Sequence, residues 1–73
     1  MKVRLKYPLE TVKEPVLYHM IMEHHVIPNI LRAHVDHETG GEIDLYIEGE
    51  PEAIARSVKW LSGQGIGVTE LAA

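Results

Sequence analysis

Apolar and charged residues alternate through residues 2–7, with Val3, Leu5 and Tyr7 on one side and Lys2, Arg4 and Lys6 on the other. That two-residue period predicts a half-buried strand, which Pro8 ends because proline offers no N–H to a ladder. Pro15 suits the first turn of a helix. From there Val16, Leu17, Met20, Ile21 and His24 recur at helical spacing, and the helix should run to about His25 before Pro28 forces an extended backbone. Period two returns over residues 29–36, with Leu31, Ala33 and Val35 on one face and Ile30, Arg32 and His34 on the other. His37-Glu38-Thr39-Gly40-Gly41 reads as a hairpin turn whose glycines supply positive φ. A third strand alternates Ile43, Leu45 and Ile47 with Glu42, Asp44, Tyr46 and Glu48. Gly49-Glu50-Pro51-Glu52 starts a second helix carrying Ile54, Val58 and Leu61 on its stripe, and Gly63 and Gly65 can end it. Ile66 and Val68 open a last strand.

The order β-α-β-β-α-β predicts an α+β, ferredoxin-like fold: a four-stranded antiparallel sheet in the order 4-1-3-2 with both helices on one face. Charge offers an independent check. In that order the first and third strands are neighbours, so Lys2, Arg4 and Lys6 face Glu42, Asp44 and Glu48 across the outer side of the sheet. No linker or repeat interrupts residues 1–73, which read as a single domain.

A chain of 73 residues without cysteine has no disulfide, and its Cys/His spacing offers no structural zinc. It buries only about 60% of its unfolded surface, and small unstapled domains often gain margin by pairing, so a homodimer is expected. The strand at the sheet's edge offers unpaired backbone groups for it, with Ile30 expected to point away from the helices. The formal net charge of −4 speaks against nucleic acid or an anionic membrane as partner. No apolar run spans a bilayer and no signal peptide opens the chain, so a cytoplasmic location is expected. Met1 reads as a natural start and favours a free-standing domain.

Several chemistries lack their residues. The outward positions hold a lone Tyr46 among carboxylates, which does not suit stacking of RNA bases. Thiol pairs for copper are missing. Acids guard both helix starts, Glu10 and Glu14 at the first and Glu50 and Glu52 at the second, against phosphate. His19 and Glu23 have ligand spacing, but no third ligand joins them, and His34 and His37 fall on opposite faces, so no metal and no cofactor are expected. Ser57 and Ser62 have no evident His–carboxylate pair, and no enzymatic activity is expected. Trp60 flanks the buried stripe of the second helix. Tyr18 and Met22 lie opposite the stripe of the first and should be exposed.

Pro28-Asn29-Ile30-Leu31, followed by Ala33, Val35 and Gly40-Gly41, resembles the segment that names the NIL domain. Tyr7-Pro8 and Pro15-Val16-Leu17-Tyr18 upstream, and Gly49, Trp60-Leu61, Gly65-Ile66-Gly67-Val68 and Glu70-Leu71 downstream, extend the resemblance over nearly the whole chain. It implies a ferredoxin-like domain related in shape to amino-acid-sensing ACT domains. Such domains end the ATPase subunits of methionine ABC transporters, where they pair and bind methionine, or accompany ferredoxin modules of sulfur metabolism. This chain carries neither an ATPase domain nor ferredoxin cysteines, and residues 8–13 lack the glycine of an ACT ligand loop. The expected function is therefore a regulatory module binding methionine or a related sulfur amino acid at a homodimer interface, with an ABC transporter or ferredoxin as possible partner. The alternative is a protein-interaction module acting on a ferredoxin or sulfur-assimilation enzyme without a small ligand. The resemblance assigns ligand contact to Asn29, whose amide both donates and accepts. Ile30 and Met22 are the candidates for contact with a thioether.

Overall fold

The computed structural model describes residues 1–8, 15–36 and 38–72. Strands β1 (Lys2–Tyr7), β2 (Ile27–Asp36), β3 (Gly40–Glu48) and β4 (Gly67–Glu70) and helices α1 (Val16–His24) and α2 (Pro51–Gly63) follow the expected order. The sheet runs β2-β3-β1-β4 with every pair antiparallel, and the fold is ferredoxin-like. Glu10, Glu14, residues 9–13 of the segment compared with the ACT loop, and His37 lie outside the described residues.

Val3, Leu5, Leu45 and Ile47 project from the two central strands into one cluster with Val16 and Met20 of α1 and Ala53 and Leu61 of α2. Both helices therefore cover the same face of the sheet. On α1 the buried stripe is narrower than its apolar spacing suggests. Val16 and Met20 are buried and Leu17 packs against the core, whereas Ile21 is half exposed. Pro15 stands one position outside α1, at its cap, and His25 ends the helix in the left-handed region at φ 58°. The turn closes with the Val26 N–H donating to the Met20 carbonyl (3.4 Å), which delivers Val26 into the core.

On α2 the innermost residues are Ala53, Ser57 and Leu61, one helical row of small and large side chains, with Ile54 packed at its flank. Ser57 is admitted there because its hydroxyl donates to the Ile54 carbonyl (2.8 Å) and so meets the cost of its burial. Gly65, at φ 80°, takes the left-handed position after α2, and Gly40, at φ 104°, takes it in the hairpin; Gly63 and Gly41 do not. Asp36 shapes that hairpin, its Oδ1 accepting the N–H groups of Glu38 (2.7 Å) and Thr39 (3.2 Å).

Strand β2 corrects the sequence reading. Ile30 lies opposite Leu45, but Arg32 lies opposite Asp44, so Leu31 is an extra residue that β3 does not match. Directly opposed residues share a face. Ile30 therefore joins Ala33 and Val35 on the helix side, not Arg32 and His34 on the outer side. The bulge reverses the alternation once. It lets Ile30 and Ala33 share the apolar face while Asn29 and Arg32 share the polar one. The strand also starts earlier than expected, at Ile27, and includes Pro28, which an edge strand tolerates.

Candidate functional site

Strand β2 lies at one edge of the sheet and extends for 10 residues. Its side chains are exposed at nearly every position, on both faces. On the helix side and at the bulge, Ile30, Leu31 and Val35 are each more than half exposed, because the two helices cover the central strands and leave this edge bare. Helix α1 packs beside β2 and adds Tyr18, Ile21 and Met22, each at least half exposed. Each of the six presents apolar surface to solvent.

Asn29 sits on the opposite side of the same strand, sharing an outward rung with Tyr46. Its amide nitrogen donates to the backbone carbonyls of Tyr46 (3.2 Å) and Ile27 (3.4 Å), which fixes the side chain and leaves Oδ1 without a partner among the described residues. Asn29 and Ile30 thus lie on opposite faces of β2. Met22 is on α1, on Ile30's side of the sheet. A single copy does not bring the three together around one cavity. Two participants escaped the sequence reading. Ile21 was assigned to the buried stripe, and Leu31 was placed in a regular strand. The apolar doublet Ile30-Leu31, which breaks the alternation, was the available signal for the bulge.

The outer face is an ordered array of charge. The register sets Lys6 opposite Glu42, Arg4 opposite Asp44 and Lys2 opposite Tyr46. Arg4 grips Asp44 with two bonds, Nε to Oδ1 (2.8 Å) and Nη2 to Oδ2 (3.2 Å). From the other flank Arg32 donates Nε to Asp44 Oδ2 (3.3 Å) and Nη2 to Glu42 Oε1 (2.6 Å). Asp44 is buried beneath the two guanidinium groups, and its hydrogen bonds from Arg4 lead the causes that hold its carboxyl below the ordinary 3.8. The backbone N–H groups of Glu38 and Thr39 do the same for Asp36.

The histidines scatter. His19 contacts Glu23 one turn on, and the rings of His19 and His24 meet Trp60 with centroids 6.0 Å and 4.9 Å away. His34 stands on the outer face of β2. Among the described residues no three His, Cys, Asp or Glu side chains are placed to hold a metal ion. Among the described residues no helix is long and apolar enough to cross a membrane.

A model of the family described as the NIL domain matches residues 1–70. No curated protein matches the chain. Among solved structures, the C-terminal domain of an ABC transporter ATP-binding protein from Enterococcus faecalis superposes with a TM-score of 0.82 at 21% identity, covering 93% of this chain and 79% of that one. At this identity the likeness concerns the fold.

Proposed function

Since the chain belongs to the NIL domain family, we propose that it is a regulatory small-ligand module that works as a homodimer and binds methionine or a related sulfur amino acid at the interface between two copies. The observation that carries this reading is the β2 edge, 10 residues long, unpaired and apolar on its helix side. Unpaired edges are normally short, charged or covered. This one is long and, among the described residues, uncovered, and although it carries Pro28, Arg32, Asp36 and the bulge its helix side is apolar; a second copy supplies both backbone partners for the edge and a cover for the α1 surface.

The ligand's requirements match what that edge would enclose. A thioether needs an apolar slot, for which Ile30 and Met22 are placed on the helix side, and the head group needs a few fixed polar atoms. Asn29 is held by two backbone bonds with its Oδ1 uncommitted, so it can accept from an ammonium group at little entropic cost. Asn29 and Ile30 face opposite ways, so one ligand meets both only where the partner's strand leaves the edge open beside them. A ligand that binds only the dimer shifts the pairing equilibrium, which is the regulatory output. The match to a transporter ATP-binding protein's C-terminal domain favours a transporter as the regulated partner.

Calorimetry with methionine, homocysteine and cysteine, run alongside sedimentation with and without ligand, tests the reading. The expected result is saturable binding of one sulfur amino acid that strengthens the dimer, abolished by Asn29→Ala with circular dichroism unchanged. A monomer at high micromolar concentration, with or without ligand, overturns it. Binding that survives Asn29→Ala removes Asn29 from the site.

A further inference from the structure

The outer face of the sheet carries a second concave feature, at its hairpin end and two outward rungs away from Asn29. Lys6, Glu42 and His34 form one rung across β1, β3 and β2. With Arg32, Thr39 and the Gly40-Gly41 backbone they line a half-open hollow of about 430 Å³. Beside the outward carboxylates of β3, β2 contributes Arg32 to this face.

Hydrogen-bond bookkeeping shows what the hollow lacks. Glu42, Asp44 and Asp36 each have partners, although both arginine contacts of Glu42 fall on Oε1 and leave Oε2 open. Glu42 accepts from Arg32 at 2.6 Å and lies 3.5 Å from Arg4 Nε; Asp44 takes both arginines; Asp36 takes two backbone N–H groups. Some donors are left over. Glu42 turns toward Arg32, so Lys6 loses its register partner and, among the described residues, makes no ion pair. Arg32 spends Nε and Nη2 and keeps Nη1. The Thr39 hydroxyl and the His34 ring make no side-chain hydrogen bond among the described residues. A concave site that keeps one ammonium without an ion pair among the described residues, beside a spare guanidinium N–H, suits a group that brings acceptors of its own.

We propose that this hollow binds the oxyanion group of a small ligand, a carboxylate or a phosphate, with Lys6 and Arg32 supplying the charge and His34 and Thr39 supplying flanking hydrogen bonds. Its side chains lie on the outer face, away from the apolar helix-side flank of the β2 edge. The chain as a whole carries a formal charge of −4, so long-range attraction contributes little and binding rests on these short contacts.

The test is an amide NMR titration at constant ionic strength, with inorganic phosphate, acetate and methylammonium as probes and potassium chloride as the balancing salt. Phosphate or acetate should give saturable shifts at Lys6, His34 and residues 39–41, and the stronger of the two identifies the oxyanion. Lys6→Ala with His34→Ala should weaken that binding roughly tenfold or more, as loss of charge-assisted bonds does, while the amide pattern around Arg32 and Asp44 stays that of the wild type. Shifts no larger than chloride alone produces, shifts that survive the double variant unchanged, or saturation by methylammonium would each overturn the proposal.

Discussion

Deletion of Leu31 gives the sharpest test of the register. Ile30 and Arg32 already face consecutive residues of β3, Leu45 and Asp44. Removing Leu31 therefore leaves every pair from Ile27↔Glu48 to Asp36↔Gly40 intact and turns a bulged strand into a regular one. Burying a leucine fully is worth about 1.5–3 kcal/mol; Leu31 is 53% exposed, so its loss should cost about 1 kcal/mol on that scale. A regular ladder step in place of the unmatched residue returns roughly 0.5–1.5 kcal/mol. The net change should lie within about 1 kcal/mol of zero. Deleting Ala33 is the control. If the strand then straightens, Leu31 falls opposite Asp44 and Arg32 opposite Ile43, which takes the guanidinium off both carboxylates, so this deletion should destabilise far more. Urea melts at one fixed protein concentration compare the two, because pairing makes stability concentration-dependent, and cross-strand Hα contacts by NMR report the register. If the Leu31 deletion unfolds the domain while the Ala33 deletion is tolerated, the assignment of the bulge is wrong.

Three other perturbations have definite signs. The Tyr7 hydroxyl is buried with no partner among the described residues, and burial pushes its ionisation up to about 12. Tyr7→Phe should therefore be neutral or stabilising by about 1 kcal/mol, and a titration followed by ultraviolet absorbance should show one of the three tyrosines ionising late. Because its folded value is raised, stability is intact below pH 10 and falls as pH climbs toward 12. Gly49→Ala should cost about 1–2 kcal/mol by urea melt, since φ is 155° and an added Cβ would sit 3.2 Å from Val26 Cγ1. Asp36 and Asp44 both ionise below 3.8 in the fold. Their contribution is complete above that value and is lost as pH falls through the lowered ones. The stability gap between wild type and Asp44→Asn should accordingly close in acid.

Strands β1 and β3 were legible because each has one buried and one solvated face, so alternation alone sets their direction. The opposed charges of Arg4 and Asp44 then supported the neighbour relation. Edge strand β2 obeyed a weaker rule. With both faces exposed, little burial penalty fixes its phase, and one extra residue could reverse Ile30 without leaving more than the doublet Ile30-Leu31 as a trace. Helix α2 shows the same limit in another form. Its stripe read from large residues as Ile54, Val58 and Leu61, but Ala53 and Ser57 are innermost because small side chains allow close approach. Asn29 was singled out by the resemblance; its separation from Ile30 across the strand depends on the bulge and could not be read from spacing.

That separation bears on how two copies can meet. The outer face carries Lys2, Arg4, Lys6 and Arg32 around engaged carboxylates, and stacking two such faces would bury like charges and strip water from guanidinium groups. The opposite face is already covered by α1 and α2 over the central strands. The β2 edge combines free backbone groups with an apolar flank, contributed by Ile30 and Val35 and by Ile21 and Met22 on α1. Pairing there extends the sheet, keeps the charge array in solvent and enlarges a core that 73 residues cannot make large alone. It also leaves the hollow at Lys6 and His34 open in the dimer, so an oxyanion could bind there whether or not the interface is occupied. The same geometry makes the interface sensitive to a single charge: Ile30→Asp should dissociate the dimer while preserving the monomer fold, because its side chain is 57% exposed in one copy. Sedimentation of that variant separates the two roles of the strand. A dimer that persists means that the copies meet elsewhere, and a chain that unfolds means that Ile30 belongs to the core.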